Sequence, residues 1–148
     1  MRLQTILVPL DFSPHSAKAL EYAIEFAKKF DAKIELLNSY PVYVGAVSPY
    51  GIVIPESFDK ECREAAEREM ATWSERVKKA GIPVETRVTP SAPADAISRQ
   101  AEEHDVDLVV MGSRGLTGLK HFLLGSVAER TLRICPCPVL TVKDGEAD

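Results

Sequence analysis

Four small residues near the end of the chain have the types and spacing expected of a phosphate-binding loop. Gly112 and Gly115 follow an apolar, strand-like run, and Gly125 and Ser126 begin a helix-like run. Glycine allows close backbone approach to a ligand, and the free amides at a helix N-terminus attract anions. Ser126 and Glu129 also fit a capping box. The pattern predicts phosphate binding, with the alternative that these glycines only shape a loop.

Cationic and hydroxyl side chains accompany the glycines. The additional phosphate donors that the sequence offers are Arg114, Lys120, Ser113 and Thr117. A P-loop is excluded, because no Gly-Lys-Ser/Thr stands four residues after a glycine, and Arg114 replaces the second glycine of the dinucleotide fingerprint. We therefore predict Arg114 and Lys120 as possible phosphate contacts, with solvated loop charges as the alternative.

The elements that must position these residues alternate along the chain. Strands are predicted over Thr5–Leu10, Lys33–Ser39, Val84–Val88, Asp107–Met111 and Pro138–Lys143, and helices over 14–30, Glu56–Ala80, Ala94–Glu103 and Gly125–Ile134. Residues 40–55 and 112–124 are predicted loops. This order predicts one α/β domain over residues 1–148, with a five-stranded parallel sheet covered by helices on both faces.

Asp11 and Gly112 follow the first and fourth predicted strands. Ligands of doubly wound sheets bind outside the carboxyl ends of the strands, where the strand order reverses. That position favours a ligand role for Asp11 over the alternative of a residue that only starts a helix. Ser13 is predicted to cap that helix, with Pro14 as its first residue.

Apolar spacing predicts the buried helix faces. In the first helix these residues are Ala17, Leu20, Ile24, Ala27 and Phe30, and in the longest helix they are Cys62, Ala66, Met70, Trp73, Val77 and Ala80. The three cysteines are predicted to be small buried hydrophobes, since Cys135-Pro-Cys137 lacks the two-residue spacer of redox and zinc motifs.

The 148 residues carry 18 Lys and Arg against 22 Asp and Glu, a formal charge of -4. This balance argues against nucleic acid or an anionic membrane surface as partners. No apolar run reaches the length of a transmembrane helix, and no secretory signal is visible. We expect a cytoplasmic protein.

The glycine spacing resembles a known family. Gly112, Gly115, Gly125 and Ser126 match the motif Gly-x2-Gly-x9-Gly-Ser/Thr of universal stress proteins of the ATP-binding subclass. Residues 6–13 and 136–140 are similar to that family's first and last strands, so the resemblance covers nearly the whole chain. It implies a three-layer α/β/α sandwich of the adenine nucleotide alpha hydrolase type, with strand order 3-2-1-4-5.

The resemblance also implies roles for individual residues. Pro9 and Asp11 would line the adenosine pocket, and the backbone near Ser39 would contact the adenine. The residues that would border the nucleotide are Met111, Gly112 and Gly115, and those that would meet the phosphates are Gly125, Ser126 and Val127. ATP would bring a divalent cation, Mg²⁺ or Mn²⁺, held through its phosphates. Members commonly form homodimers through the last strand, here Pro138 to Val142.

Two departures from the family pattern concern the adenine end and a turn. Asn38-Ser39 stands where the family often has His-Val, which reduces apolar surface near adenine while preserving a backbone contact. Ser91-Ala92-Pro93 stands where a glycine often precedes the proline. The second difference lies outside the phosphate loop.

The resemblance favours a regulatory stress-response protein that binds ATP over other functions. A slow ATPase or other nucleotide phosphohydrolase that uses the same pocket is the alternative. The sequence identifies no residue as the group that would position a nucleophile. A nucleotide-free dimer or scaffold is less favoured because the glycine motif is intact. A two-component receiver is rejected, since it requires an acidic pair after the first strand and an aspartate after the third. The client protein cannot be read from the sequence.

Overall fold

The computed structural model describes residues 2–41, 50–51, 55–115 and 124–143, and these contain every predicted strand and helix. The strands are β1 (Thr5–Pro9), β2 (Lys33–Tyr40), β3 (Val84–Pro90), β4 (Leu108–Gly112) and β5 (Val139–Val142). The helices are α1 (Pro14–Phe30), α2 (Ser57–Lys79), α3 (Pro93–Glu103) and α4 (Ser126–Ile134). The sheet is parallel in the order β3-β2-β1-β4-β5, which confirms the predicted fold.

The sheet lies between two helical layers, and alternate residues of its strands supply two cores. Ile6 and Val8 of β1 pack with α1 and α2, whereas Leu7 between them packs with α3 and α4. Both faces of β1 are covered, which explains its continuous apolar run. Among the described residues, no helix is both long enough and apolar enough to cross a membrane.

The buried face of α1 differs from the predicted one. Leu20 and Ala27 are buried as expected, but Phe30 is 43% exposed. The small residues Ala19 and Ala23 are fully buried instead. Phe30 is the last residue of α1, and its ring stacks on Phe26 with centroids 6.4 Å apart. The prediction for Phe30 was wrong because short alanines let the helix approach the sheet closely, while an aromatic ring can bury part of its surface against its neighbour.

The third strand is longer than predicted. It continues past Val88 to Pro90, because β2 continues to Tyr40 and pairs Ser39 with Thr89 and Tyr40 with Pro90. Pro90 has no N–H to donate, but β3 is an edge strand, where a missing donor can face away from the sheet.

The cysteines are also less buried than predicted. Cys62 on α2 and the pair Cys135 and Cys137 between α4 and β5 are all free and all half-buried. Sequence spacing placed Cys62 on the stripe of Ala66 and Met70, both of which are buried, but Cys62 lies nearer the start of α2, where the helix is more exposed.

A carboxylate is buried in the middle of β2. Glu35 is 1% exposed. Its carboxylate oxygens lie 3.0 Å from Lys33 Nζ, 2.8 Å from Gln100 Nε2 and 2.8 Å from His104 Nδ1. Burial acts to raise the pKa of Glu35, but the hydrogen bonds from Lys33, Gln100 and His104 outweigh it and hold the pKa below its ordinary value. The buried charge therefore ties β2 to the last turn of α3.

We predict that Glu35→Gln destabilises the protein at neutral pH by about 1–3 kcal/mol, because buried donors lose a charged acceptor. A lowered native-state pKa stabilises the fold above the ordinary value of 4.5, and this contribution is lost as the pH falls through the native-state pKa. The difference between wild type and variant should therefore shrink in acid. Urea unfolding at neutral and acidic pH measures it.

Glu85→Gln is the matched control. Glu85 lies 3.5 Å from the same Lys33 amine, but its side chain is 64% exposed, so its replacement should change stability little. A Glu35→Gln variant as stable as the Glu85→Gln variant at neutral pH would contradict the assigned role of Glu35.

Candidate functional site

The strand order reverses between β1 and β4. These neighbours pair Ile6 with Leu108 and Leu7 with Val109, while the chain continues from β1 toward β2 and from β4 toward β5. The two connections diverge above the carboxyl ends of the strands and leave a crevice there. Asp11 and Gly112 lie at this crevice, at the position predicted from the topology.

Asp11 is held at the start of α1. Its Oδ1 accepts hydrogen bonds from the Ser13 backbone N–H at 2.9 Å and from Ser16 Oγ at 3.0 Å. Ser13 is the N-cap, as predicted, and its Oγ accepts from Ser16 N at 3.2 Å. One carboxylate oxygen of Asp11 thus accepts hydrogen bonds from the start of α1. These bonds fix the direction of the second carboxylate oxygen.

The backbone beside Asp11 adopts an unusual conformation. Phe12 has a φ of 64°, in the left-handed region that bulky residues rarely occupy. Its ring packs edge-on against Trp73, with centroids 5.6 Å apart and an angle of 62° between the ring planes. This contact with α2 anchors the turn that directs Asp11 into the crevice. Trp73 is 7% exposed, in agreement with its predicted packing role.

Gly115 lies against the carboxylate of Asp11. A Cβ built on Gly115 would be 2.5 Å from Asp11 Oδ2, closer than any side chain could remain. A side chain at position 115 would displace the Asp11 carboxylate, so the carboxyl end of β1 favours glycine here. The contact brings the segment after β4 to the aspartate after β1, as the phosphate-loop interpretation requires.

Gly125 closes the other side of this loop. Its N–H donates to the Ser113 carbonyl at 2.6 Å, and a Cβ on Gly125 would be 3.3 Å from the same oxygen. The Ser113 N–H donates in turn to the Val142 carbonyl at 2.9 Å. Residues 113, 125 and 142 are therefore joined by backbone hydrogen bonds, and the start of α4 is fixed beside Gly115.

The start of α4 corrects the predicted capping box. The N-cap is Gly125 and not Ser126, and it makes no side-chain capping bond. Ser126 is the first helical residue, whereas Glu129 pairs with Arg133 at 2.8 Å. The first intrahelical bond runs from Glu129 N to Gly125 O at 2.9 Å. The amides of the first turn therefore receive no cap from these side chains, which favours an external anion.

Side chains at this helix end are open to solvent. Ser126 is exposed, and Val127 is 37% exposed although it is apolar. A surface valine beside uncapped amides lets a ligand approach the backbone without displacing a polar side chain. The exposed turn faces outward next to the loop of Gly112 and Gly115.

The remaining predicted residues lie around the crevice at different depths. Pro9 ends β1 and is half-buried, and Met111 is 5% exposed, packed in the core on the α3 and α4 side. Ser39 Oγ donates to the Ser91 carbonyl at 2.8 Å, so its side chain is used by the fold. Arg114 is half-buried between the glycines, and Lys120 and Thr117 lie outside the described residues.

Three further residues shape the site. Asn38 Nδ2 donates to the Leu10 carbonyl at 2.8 Å and joins the carboxyl ends of β1 and β2. Ser16 holds Asp11, and His15 packs where a Cβ on Gly112 would lie. The sequence singled out Asn38 only as a departure from the family pattern near adenine, whereas Ser16 and His15 carried no distinct signal.

A separate groove of about 250 Å³ lies away from this crevice, between the β2–β3 side of the sheet and α3. It is lined by Leu37, Arg87, Thr89, Ala96, Arg99, Gln100, Glu103 and His104. None of the predicted nucleotide residues borders it. The groove therefore does not coincide with the predicted nucleotide site.

The sheet order and the switch-point crevice define a doubly wound α/β protein of the class that binds ligands at the carboxyl ends of its strands. The model of the universal stress protein family matches residues 2–143, and the chain therefore belongs to that family. It is 39% identical over 142 residues to universal stress protein MJ0531 of Methanocaldococcus jannaschii, covering 93% of this chain and 81% of that protein.

Two solved structures extend the comparison. The structure of hypothetical protein MJ0577 superimposes with a TM-score of 0.87 at 28% identity, covering 99% of this chain and 100% of that one. A universal stress protein solved in complex with cAMP has a TM-score of 0.74 at 27% identity, covering 98% of this chain and 100% of that one. The fold is thus shared over essentially the full length.

We predict that Gly112→Ala destabilises the fold by about 1–3 kcal/mol through overpacking. The added Cβ would lie 2.9 Å from His15 Cβ and 3.0 Å from both the His15 backbone carbon and the Arg114 carbonyl oxygen. Backbone atoms cannot rotate aside, so the first turn of α1 must shift. Urea unfolding monitored by circular dichroism measures the loss.

Gly125→Ala is the comparison variant, since its Cβ would meet backbone atoms at 3.3 and 3.4 Å and its φ of -74° suits alanine. It should cost less than Gly112→Ala. Equal stability of Gly112→Ala and wild type would show that the contact between β4 and α1 is not close in solution.

Proposed function

We propose that this universal stress protein binds ATP in the crevice between β1 and β4. The observation that carries the proposal is the exposed start of α4, whose N-cap Gly125 makes no side-chain capping bond within the described part of the chain, held beside Gly115 and the Asp11 carboxylate. A helix start supplies oriented N–H donors and a positive dipole end, and both favour phosphate.

The shared fold supports an adenine nucleotide as the ligand class. The related protein solved with cAMP is 27% identical to this chain along nearly its whole length. That ligand combines an adenosine with a single phosphate. The preference for a triphosphate rests on the glycine motif, which would provide backbone donors at Gly112 and Gly115 in addition to the α4 start.

The adenosine end is assigned to the β1 and β2 side of the crevice. Asp11 would accept a hydrogen bond from a ribose hydroxyl, since Ser13 and Ser16 fix its orientation. Pro9 would contribute apolar surface, and the Ser39 backbone would contact the adenine. The Met111 backbone would form the bottom of the adenosine pocket. The side chains of Ser39 and Met111 are engaged in the fold and contribute support rather than recognition.

The phosphates are assigned to Ser126, Val127 and the neighbouring glycines, with Arg114 as an additional contact. Mg²⁺ or Mn²⁺ would be held mainly by phosphate oxygens, as is usual for nucleotide-bound magnesium. The described part of the chain contains no cluster of three or more His, Cys, Asp or Glu side chains. The cation would neutralise phosphate charge on a protein of formal charge -4.

A regulatory role in the cytoplasm completes the proposal. Residues 1–148 would act as one domain whose nucleotide occupancy alters the surface offered to a client protein. The three free cysteines support a reducing compartment, where unpaired thiols persist.

We predict that Ser126→Glu weakens ATP binding at least about tenfold, because a carboxylate would lie where phosphate charge accumulates. The same substitution leaves folding intact, since an acidic residue in the first turn of a helix is favourable. Isothermal titration with magnesium ATP on protein stripped of bound nucleotide measures affinity, and urea unfolding measures stability.

Ser126→Gln is the matched control, with similar size and no charge, and it should retain most of the affinity. Absence of saturable binding to the wild type at millimolar ATP would refute the proposal. Equal affinity of wild type and Ser126→Glu would place the phosphates elsewhere.

We also propose a homodimer that pairs through residues 138–142. β5 is an edge strand and is paired on one side, with β4. The Pro138 carbonyl accepts from Val109 N and the Val142 carbonyl accepts from Ser113 N, so even-numbered residues direct their peptide groups inward. By strand alternation the N–H and C=O groups of Val139 and Thr141 face outward, where a second copy would pair with them.

We predict that Thr141→Pro weakens dimerisation at least about tenfold, since proline removes an outward N–H and leaves the ladder to β4 intact. Thr141→Val keeps the donor and should dimerise like the wild type. Sedimentation velocity over a concentration series separates the two. A monomeric wild type, or a Thr141→Pro variant that still pairs fully, would disprove dimerisation through this edge.

A further inference from the structure

Two thiols face each other at the junction of α4 and β5. The Sγ atoms of Cys135 and Cys137 are 3.7 Å apart, and both residues are half-buried and free. Sequence spacing argued against a redox role because one residue, Pro136, separates the cysteines. The structure shows that the bend at this proline brings the sulfurs into contact.

The backbone on both sides of the pair is anchored. Cys135 ends α4, and its N–H donates to the Thr131 carbonyl at 2.9 Å. On the other side, the Pro138 carbonyl accepts from Val109 N at 3.0 Å and starts β5. Both cysteines also pack against the core between the sheet, α3 and α4. The two thiols are therefore held near each other by the fold itself.

The separation is compatible with bond formation. A disulfide needs Cα atoms within about 7 Å and an S–S distance of about 2.05 Å. Residues two apart cannot exceed about 7 Å even in a fully extended chain, and the bend shortens that span. Side-chain rotation must close the remaining gap between the sulfurs.

The two thiols are not equivalent. Burial, and to a smaller extent the neighbouring Cys135, raise the pKa of the Cys137 thiol to about 12. Because the thiolate is the reactive form, the raised pKa disfavours Cys137 as the group that first attacks an external oxidant.

We propose that Cys135 and Cys137 form a reversible dithiol–disulfide pair that is oxidised by low-molecular-weight disulfides such as oxidised glutathione. This modification site goes beyond nucleotide binding and does not depend on it. It converts the link between α4 and β5 from an open bend into a covalently closed ring.

The reaction balances as two exchange steps. The Cys135 thiolate attacks one sulfur of oxidised glutathione, forms a mixed disulfide and releases one glutathione thiolate. Cys137 then gives up its proton to solvent or to that thiolate and attacks the Cys135 sulfur, releasing the second glutathione. Two protein thiols lose two electrons in total, and one glutathione disulfide becomes two glutathione thiols.

Cys62 provides an internal control. It lies on α2, which packs on the opposite face of the sheet, and it is half-buried and free. The Cys62→Ser chain therefore isolates the pair without altering α4 or β5. Trypsin cleaves after Arg133 and Lys143, which places both cysteines of the pair in the peptide 134–143.

The experiment equilibrates full-length Cys62→Ser protein with mixtures of oxidised and reduced glutathione, followed by acid quenching, alkylation and mass spectrometry. We expect peptide 134–143 to lose two hydrogens and to resist alkylation, and to recover two alkylation sites after dithiothreitol. A peptide that alkylates at both cysteines, or that carries glutathione on both, would overturn the proposal.

Single substitutions test the order of attack. Cys137→Ser should accumulate one glutathione on Cys135, because no thiol remains to resolve the mixed disulfide. Cys135→Ser should react at least about tenfold more slowly with oxidised glutathione, since burial still raises the pKa of its remaining thiol, Cys137. Urea unfolding of each variant identifies losses due to misfolding, and a faster reaction of Cys135→Ser than of Cys137→Ser would reverse the assigned roles.

Discussion

The contact between the Asp11 carboxylate and Gly115 is the interaction on which the site depends. It joins a residue that follows the first strand to one that follows the fourth, across the point where the sheet changes direction. Ser13 and Ser16 hold one carboxylate oxygen, and the packing of Phe12 on Trp73 holds the backbone. Gly115 can therefore lie against an Asp11 carboxylate that is already held in place. The glycine segment takes its position from this carboxylate.

The uncapped start of α4 follows from the same arrangement. Because Gly125 N donates to the Ser113 carbonyl, the chain enters the helix with Gly125 as its cap and Ser126 already inside the first turn. The Ser126 hydroxyl then lies one position after the N-cap and does not cap the helix. A stabilising feature available to the sequence is thus not used, since neither Ser126 nor Glu129 caps the first-turn amides of α4. Such omissions are common at functional sites.

Sequence patterns predicted the strands, the helices, the Ser13 cap and the placement of Asp11 beside the glycine segment. These features depend on local spacing or on general rules for parallel sheets. The cap of α4 could not be predicted, since Gly125 and Ser126 are both acceptable caps and a tertiary hydrogen bond selects between them. The cluster around Glu35 was also missed, because Gln100 and His104 lie 65 and 69 residues away in sequence. The closeness of Cys135 and Cys137 required the bend, which residue types do not specify.

The hydrogen bond from Ser113 N to the Val142 carbonyl connects the glycine segment directly to the outer strand of the sheet. A ligand that moves Ser113 and a second copy that moves Val142 would act on the same pair of peptide groups. Thermodynamic reciprocity then applies: the factor by which pairing changes ligand affinity equals the factor by which the ligand changes pairing. Nucleotide concentration and subunit concentration would then be linked controls on one equilibrium, connected through a single backbone hydrogen bond.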